Sequence, residues 1–244
     1  MNNAQKVRAV LMAGGRGLRL QPITLSIPKP LLPLGDKTVI EIIIRRLTAA
    51  GIEHIYVSLG HMGHFVKAYL ESSDYKLHCD FLEEDSPLGT AGPVGLLPPG
   101  IETVLVNNCD ILTDLDYLEL LSFHQSQNAD CTIVGASHKL DLPYGQLSVD
   151  DDFGLIEWSE REQLSRLVSG GIYILGRRVI QLINRNEQID MPQVIQQALR
   201  QNLKVRVFAH TGIWYDIGDL VQYERATASF TETPEQFLKD NQDD

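Results

Sequence analysis

The sequence predicts an α/β protein with a mainly parallel central sheet, and three observations carry that prediction. Apolar runs of strand length alternate with helical patterns through the first half of the chain. Capping signals mark where the helical patterns start and stop. Stretches rich in Gly and Pro follow the strand-like runs, where α/β sheets place their ligands. Alternation of this kind calls for right-handed crossovers between parallel neighbours.

Taken in order, "VRAVLM" (7–12) reads as a buried strand. The segment "TVIEIIIRRLTAAG" reads as a helix, opened by a Thr38–Glu41 capping box and stopped by Gly51. "HIYVSL" is the next strand, followed by a helix over Phe65–Ser72. "HCDFL" and "TVLVNN" are strands on either side of a Gly/Pro-rich stretch, and a helix spans Leu115–Gln127 with Asp114 as its cap. "CTIVGA" is another strand. After residue 140 the texture changes: "YGQLSVDDDFGLIEWSE" reads as a hairpin about an Asp/Gly turn. "GIYIL" and "KVRVFA" are late strands around the helix "DMPQVIQQALRQ", which carries Pro192 in its first turn, and "GDLVQYERATASF" is the closing helix. Residues 1–230 are expected to form one domain and 231–244 a loose tail.

Bulk properties narrow the function. The 244 residues suffice for a full core, and 43% hydrophobic with 22% charged residues is ordinary for a globular protein. A net charge of -11 argues against a general nucleic-acid binder, which needs a basic face, but leaves room for a phosphate-bearing small ligand met by a local cation cluster. No apolar run is long enough to span a bilayer, and the start lacks a signal-peptide pattern, so no membrane partner and a cytoplasmic location are expected. Cys79, Cys109 and Cys131 are scattered, which favours reduced thiols.

The chemistry concentrates in "LMAGGRGLRLQPITLSIPKPLLPLG". Gly14, Gly15 and Gly17 lie just past a strand end, where backbone N–H groups can close on an anion with no Cβ in the way. Arg16, Arg19 and Lys29 share a segment that Pro22, Pro28, Pro30 and Pro33 hold out of helical geometry. The segment is neither a Walker A loop nor a clean dinucleotide fingerprint. His61 and His64 lack a third ligand nearby in sequence.

This stretch resembles the signature of the sugar-1-phosphate nucleotidylyltransferases, G-G-x-G-T-R-L-x-P-L-T followed by P-K-P. The likeness continues in "EEDSPLGTAG", "VNNCDILTDLD", "YGQLSVDD…WSERE…SGGIYIL" and "WYDIGDLVQYERA", in the family's order from Val7 to Ala226. The chain looks most like the short guanylyltransferases acting on mannose 1-phosphate or glucosamine 1-phosphate. The resemblance implies a Rossmann-like three-layer sandwich with a small β-hairpin appendage on the sugar side. It implies transfer of a nucleoside monophosphate from a nucleoside triphosphate to a sugar 1-phosphate with Mg²⁺ as cofactor, and homo-oligomers are common among relatives.

Carried over residue by residue, the family pattern puts Arg19, Lys29 and Asp110 in catalysis and the metal on Asp110 and Asp216. It puts the nucleotide on Leu11, Ala13, Gly14, Gly15, Gly17, Glu84, Gly89, Thr90 and Ala91. It assigns Tyr144, Gly145, Glu160, Arg161 and Ser169 to the sugar phosphate. Glu84 matches the position where family members read the base edge, where a carboxylate can accept the two donors of guanine, and so favours GTP. The alternatives are the same chemistry with CTP, UTP or dTTP or on a phosphorylated non-sugar, or a nucleotide-binding regulatory protein that has lost transfer. The chain departs from the family mainly on the acceptor side, with "ERE" for E-K-P and "SGG" for N-A-G. Elsewhere Leu18, Cys109 and Asp219 replace the usual threonine, glycine and threonine.

Overall fold

The structure, a computed structural model, describes residues 7–141, 144–160 and 163–238. Its strands are β1 (Arg8–Met12), β2 (Pro33–Leu34), β3 (Lys37–Thr38), β4 (Ile55–Leu59), β5 (Cys79–Glu83), β6 (Thr103–Asn108), β7 (Ile111–Thr113), β8 (Cys131–Asp141), β9 (Gln146–Val149), β10 (Leu155–Ser159), β11 (Gln163–Gly176), β12 (Val205–His210) and β13 (Trp214–Asp216). Its helices are α1 (Val39–Ala49), α2 (Gly63–Glu71), α3 (Tyr117–Ser126), α4 (Arg177–Ile180), α5 (Met191–Arg200), α6 (Leu220–Glu232) and α7 (Pro234–Phe237). Seven strands form the central sheet in the order β12-β8-β11-β6-β1-β4-β5.

The sheet is buried on both faces, and the alternation along each strand shows why it carries two helical layers. Ala9 and Leu11 on β1, Leu105 on β6, and Ile172 and Ile174 on β11 pack with α1, α2, α3, α6 and α7. Val10, Val104, Val106, Tyr173 and Leu175 point the other way, into α4, α5 and the turn at Gly92–Leu96. The three-layer α/β architecture expected from sequence is therefore present. Four pairings in the sheet are parallel. The two made by β11, with β6 and β8, are antiparallel.

Local signals account for most boundaries. The Thr38 hydroxyl accepts from the Glu41 N–H while the Glu41 carboxylate accepts from the Thr38 N–H, so the expected capping box opens α1. Pro192 sits in the first turn of α5 as expected. Three expectations need correction. The cap of α3 is Asp116, whose carboxylate accepts from Leu118 and Glu119 N–H groups; Asp114 instead accepts from the Ile213 N–H and tethers β13. The strands "CTIVGA" and "GIYIL" are only the inner ends of β8 and β11, which run on together as a long arm bearing the β9–β10 hairpin. The chain from 231 does not start as a loose tail: α6 continues to Glu232, α7 follows, and Phe237 is 0% exposed in the core. Residues 239–244 lie outside the described residues. Among the described residues no helix is long and apolar enough to cross a membrane.

Candidate active site

The parallel strands β1, β4 and β6 all end on one side of the sheet, and the loops leaving those ends make the floor of a cavity of about 550 Å³. Two of these loops touch backbone to backbone: a Cβ on Gly60 would stand 2.8 Å from the Gly14 Cα. The Ala13 N–H donates to Ser58 O and the His61 N–H to Gly14 O, so the β1 and β4 exits are stitched together. Past this seam the 13–30 loop is held by its own short turns. Gly17 takes a left-handed φ of 59° and lies against Thr24, whose hydroxyl donates to Gly17 O at 2.8 Å. The run Lys29–Leu31 forms a 3₁₀ turn entered from an extended Pro28. The proline-rich segment is thus a fixed strap that carries Arg19 and Lys29 to the ends of the central strands.

Four charged groups meet there. Lys29 Nζ donates to Asp110 Oδ2 at 2.5 Å, with only 12% of the lysine side chain and 25% of the aspartate exposed. Asp110 leaves the end of β6, and Asp216 comes beside it on β13, which pairs antiparallel with β7 through Asp216↔Ile111. The Ile217 N–H donates to Asp110 O at 2.8 Å and locks the two segments together. Arg19 lies against Gly218, with its Nη2 2.7 Å from where a Cβ would stand, so its guanidinium sits beside Asp216. Burial and then the charge of Asp110 push the Asp216 carboxyl above its ordinary range, with Lys29 and Arg19 pulling the other way. Asp110 Oδ1 is buried with no hydrogen-bond partner. Two crowded carboxylates, one with an unpartnered oxygen, make a hard-oxygen donor set suited to a divalent cation. Among the described residues no third His, Cys, Asp or Glu joins them.

Of the nucleotide residues expected from sequence, Gly14, Gly15, Glu84, Gly89 and Thr90 line the large cavity. Ala13 and Gly17 line a smaller one, of about 80 Å³, between Lys29 and Asp110. Leu11 and Ala91 do not reach either: both side chains are fully buried, and the Ala91 N–H is spent on Ile189 O. Glu84 accepts from Ser58 Oγ at 2.5 Å on one oxygen and from the Leu88 N–H at 2.9 Å on the other. Cys109, beside Asp110, is buried, and burial holds its thiol well above the usual range. Asp219 accepts from the Gln222 N–H and caps α6.

The acceptor-side set is not gathered at the cavity. Tyr144, Gly145 and Glu160 are exposed at the ends of the hairpin, and Gly145 faces Trp158. Trp158 is 62% exposed. Ser169 is exposed on the arm, its Oγ 2.7 Å from Tyr173 Oη. Arg161 lies outside the described residues. Ser58 and Asn108, which sequence reasoning left out, and His61, which it weighed only as a metal ligand, also line the cavity. Ser58 and Asn108 sit at or next to strand ends, and that position was the available signal.

Comparison with known proteins agrees with this geometry. The family model described as "Nucleotidyl transferase" matches residues 8–233. A mannose-1-phosphate guanylyltransferase of Mycobacterium tuberculosis is 27% identical over 230 residues, covering 91% of this chain and 64% of its own length. A mannose-1-phosphate guanyltransferase of Yarrowia lipolytica is 33% identical over 224 residues, covering 87% of this chain and 61% of its own. The chain therefore spans less than two thirds of either relative. In fold, it resembles a putative glucose-1-phosphate thymidylyltransferase from Bacillus anthracis, solved in complex with a sucrose, with a TM-score of 0.72, 23% identity, and 91% and 94% of the two chains covered. It also resembles HddC from Yersinia pseudotuberculosis complexed with GMP-PN, with a TM-score of 0.70, 23% identity, and 91% and 99% covered. With its glycine-lined cavity at the strand ends and a family match that runs almost from end to end, the chain belongs to the nucleotidyl transferase family.

Proposed function

We propose that this chain transfers GMP from GTP to a sugar 1-phosphate, giving a GDP-sugar and pyrophosphate. The observation that carries the reading is the meeting of Lys29, Asp110, Asp216 and Arg19 at the end of a glycine-lined cavity. The acceptor's phosphate oxygen is already a nucleophile, so the reaction asks for alignment and charge neutralisation rather than a general base. That oxygen attacks the α-phosphorus, the bond to the bridging oxygen of the β-phosphate breaks, and pyrophosphate leaves with the electron pair.

Each residue has a task in this scheme. Gly14 and Gly15 leave the cavity wall as bare backbone for the triphosphate. Nothing lies within 4 Å of a Cβ position on Gly15, so that face is free for a ligand. Lys29, held by Asp110, offers its charge to the α-phosphate, and Arg19 offers its own to the departing end. Asp110 and Asp216 would hold Mg²⁺, which would supply positive charge against the phosphates of the nucleotide. Asp110 Oδ1, with no partner in the protein, supports that assignment. Glu84 has acceptor capacity left on each oxygen after Ser58 and Leu88 are satisfied, which suits the N1–H and N2–H₂ donors of guanine. The two guanylyltransferases quoted above support the choice of base.

The test is pyrophosphate release with Mg²⁺, offering GTP, CTP, UTP and dTTP separately against a pool of hexose and hexosamine 1-phosphates. Release with GTP, lost in Lys29→Ala, is expected. Release with a pyrimidine nucleotide alone would overturn the base assignment, and release that survives in Lys29→Ala would overturn the site.

A further inference from the structure

The strand-end loop "PLGTAG" (87–92) forms one wall of the cavity, and no residue of the motif itself explains how that wall is held. The structure shows it docked on a distant segment, 184–191. The Ile189 N–H donates to Leu88 O, and the Ala91 and Gly92 N–H groups both donate to Ile189 O. At the centre is Asp190. Its Oδ1 accepts from the Thr90 N–H at 2.9 Å and from Thr90 Oγ1 at 3.1 Å. Thr90 Oγ1 in turn accepts from the Met191 N–H at 2.9 Å.

Two glycines of the loop are spaced for this docking. Gly89 has a φ of 80°, and a Cβ there would stand 2.7 Å from Ile189 O and 2.8 Å from Asp190 Oδ1. A Cβ on Gly92 would stand 2.7 Å from the Leu88 Cβ and press still harder on Glu187 O. The glycines thus permit a close backbone approach to a protein segment. The same aspartate starts α5, where its own N–H donates to Gln193 Oε1 at 2.8 Å. One side chain therefore ties the cavity wall to the start of a helix about 100 residues away in the sequence.

We infer that Asp190 is a positioning residue for nucleotide binding: it fixes the Gly89–Thr90 wall of the cavity without touching the reacting atoms. The inference rests on the proposed function for the identity of the ligand but not for the brace itself. Gly89 and Thr90 line the cavity alongside Glu84, whose carboxylate accepts from the Leu88 N–H. The loop is then clamped at both ends, by Glu84 and by Asp190. Loosening the second clamp lowers affinity for the nucleotide while leaving Lys29, Asp110 and Asp216 in place. The signature is a raised KM with kcat retained, the pattern of lost uniform binding.

Three variants of the full chain test this. Asp190→Asn keeps an Oδ1 acceptor and a good helix cap and is the rescue. Asp190→Ser keeps a cap but is too short to reach both donors of Thr90. Thr90→Val keeps shape and removes the hydroxyl. Two readouts are taken: amide exchange at residues 88–92 in ligand-free protein, and GTP affinity with steady-state KM and kcat. The expected result is faster exchange at Thr90 and a KM and Kd for GTP raised about tenfold in Asp190→Ser and Thr90→Val, with kcat within about twofold and Asp190→Asn close to the parent. Unchanged exchange, unchanged affinity, or a fall in kcat at constant KM would overturn the inference. If the parent chain binds no nucleotide, the proposed function falls, while the exchange of Thr90 still decides whether Asp190 braces the loop.

Discussion

The loops around the cavity and the β9–β10 hairpin are both built from turns joining short strands, yet they are held in different ways. Around the cavity several loops are tied to another segment through their backbone: Ala13 to Ser58, His61 to Gly14, Thr90 to Asp190, Ile217 to Asp110. In the hairpin the pairing is local. Leu155 faces Val149 and Trp158 faces Leu147 across two strands, and all four side chains are exposed. The Asp150 carboxylate accepts from Asp152 and Gly154 N–H groups within its own turn. A two-stranded ribbon of this kind is marginal on its own in water. By contrast Ile40, Ile44 and Leu47 on α1 are fully buried, each contributing about 1.5–3 kcal/mol. Chemistry that needs fixed positions sits where packing is dense.

The sharpest way to break this comparison is to remove the charges at the packed end. Lys29→Ala or Asp110→Asn is expected to lower kcat by about 10²–10³, the scale of losing one preorganised charge at a reacting phosphate, and KM is expected to move little. Initial rates at saturating nucleotide check this. Asp216→Asn should also abolish most activity. Because it removes the like charge facing Asp110, it should raise the melting temperature of metal-free protein, and added Mg²⁺ should stabilise the parent more than the variant. Melting curves with and without EDTA decide both points.

A milder contrast lies between two glycines. Gly60→Ala forces a Cβ against Gly14 and should cost about 1–3 kcal/mol of stability. Gly15→Ala meets nothing in the protein, so stability should stay within about 0.5 kcal/mol while the nucleotide KM rises several-fold. Denaturant titration alongside kinetics separates the two. The smallest effect is expected at the other end. Trp158→Ala removes an exposed ring and should change stability by no more than about 0.5 kcal/mol, leaving the nucleotide KM as it was. A large loss of stability there would mean that the hairpin is packed against something.

Much of this was legible in the residues themselves. The α1 boundaries followed from Thr38 and Glu41, whereas the meeting of Arg19, Lys29, Asp110 and Asp216 was expected only through the resemblance to the nucleotidylyltransferase signature. Local pattern could not say that Asp116 rather than Asp114 caps α3, because both precede the helix and the choice depends on the Ile213 N–H, a tertiary partner. Nor could it show that Ala91 spends its N–H on Ile189, or that Asp190 holds Thr90, since both contacts join segments about 100 residues apart. The full length of the β8–β11 arm was hidden for a related reason. Its outer half is exposed on Arg166, Leu167 and Ser169, so the apolar signal that marks a buried strand stops at the sheet's edge.

The central claim is that the Lys29–Asp110–Asp216 cluster joins a nucleotide to a sugar phosphate. Mass analysis of the products formed from GTP, Mg²⁺ and a sugar 1-phosphate pool tests it most directly, with the parent chain run beside Asp110→Asn. A GDP-sugar and an equal amount of pyrophosphate from the parent alone is the predicted result. GDP with inorganic phosphate, or equal product from both proteins, would contradict it.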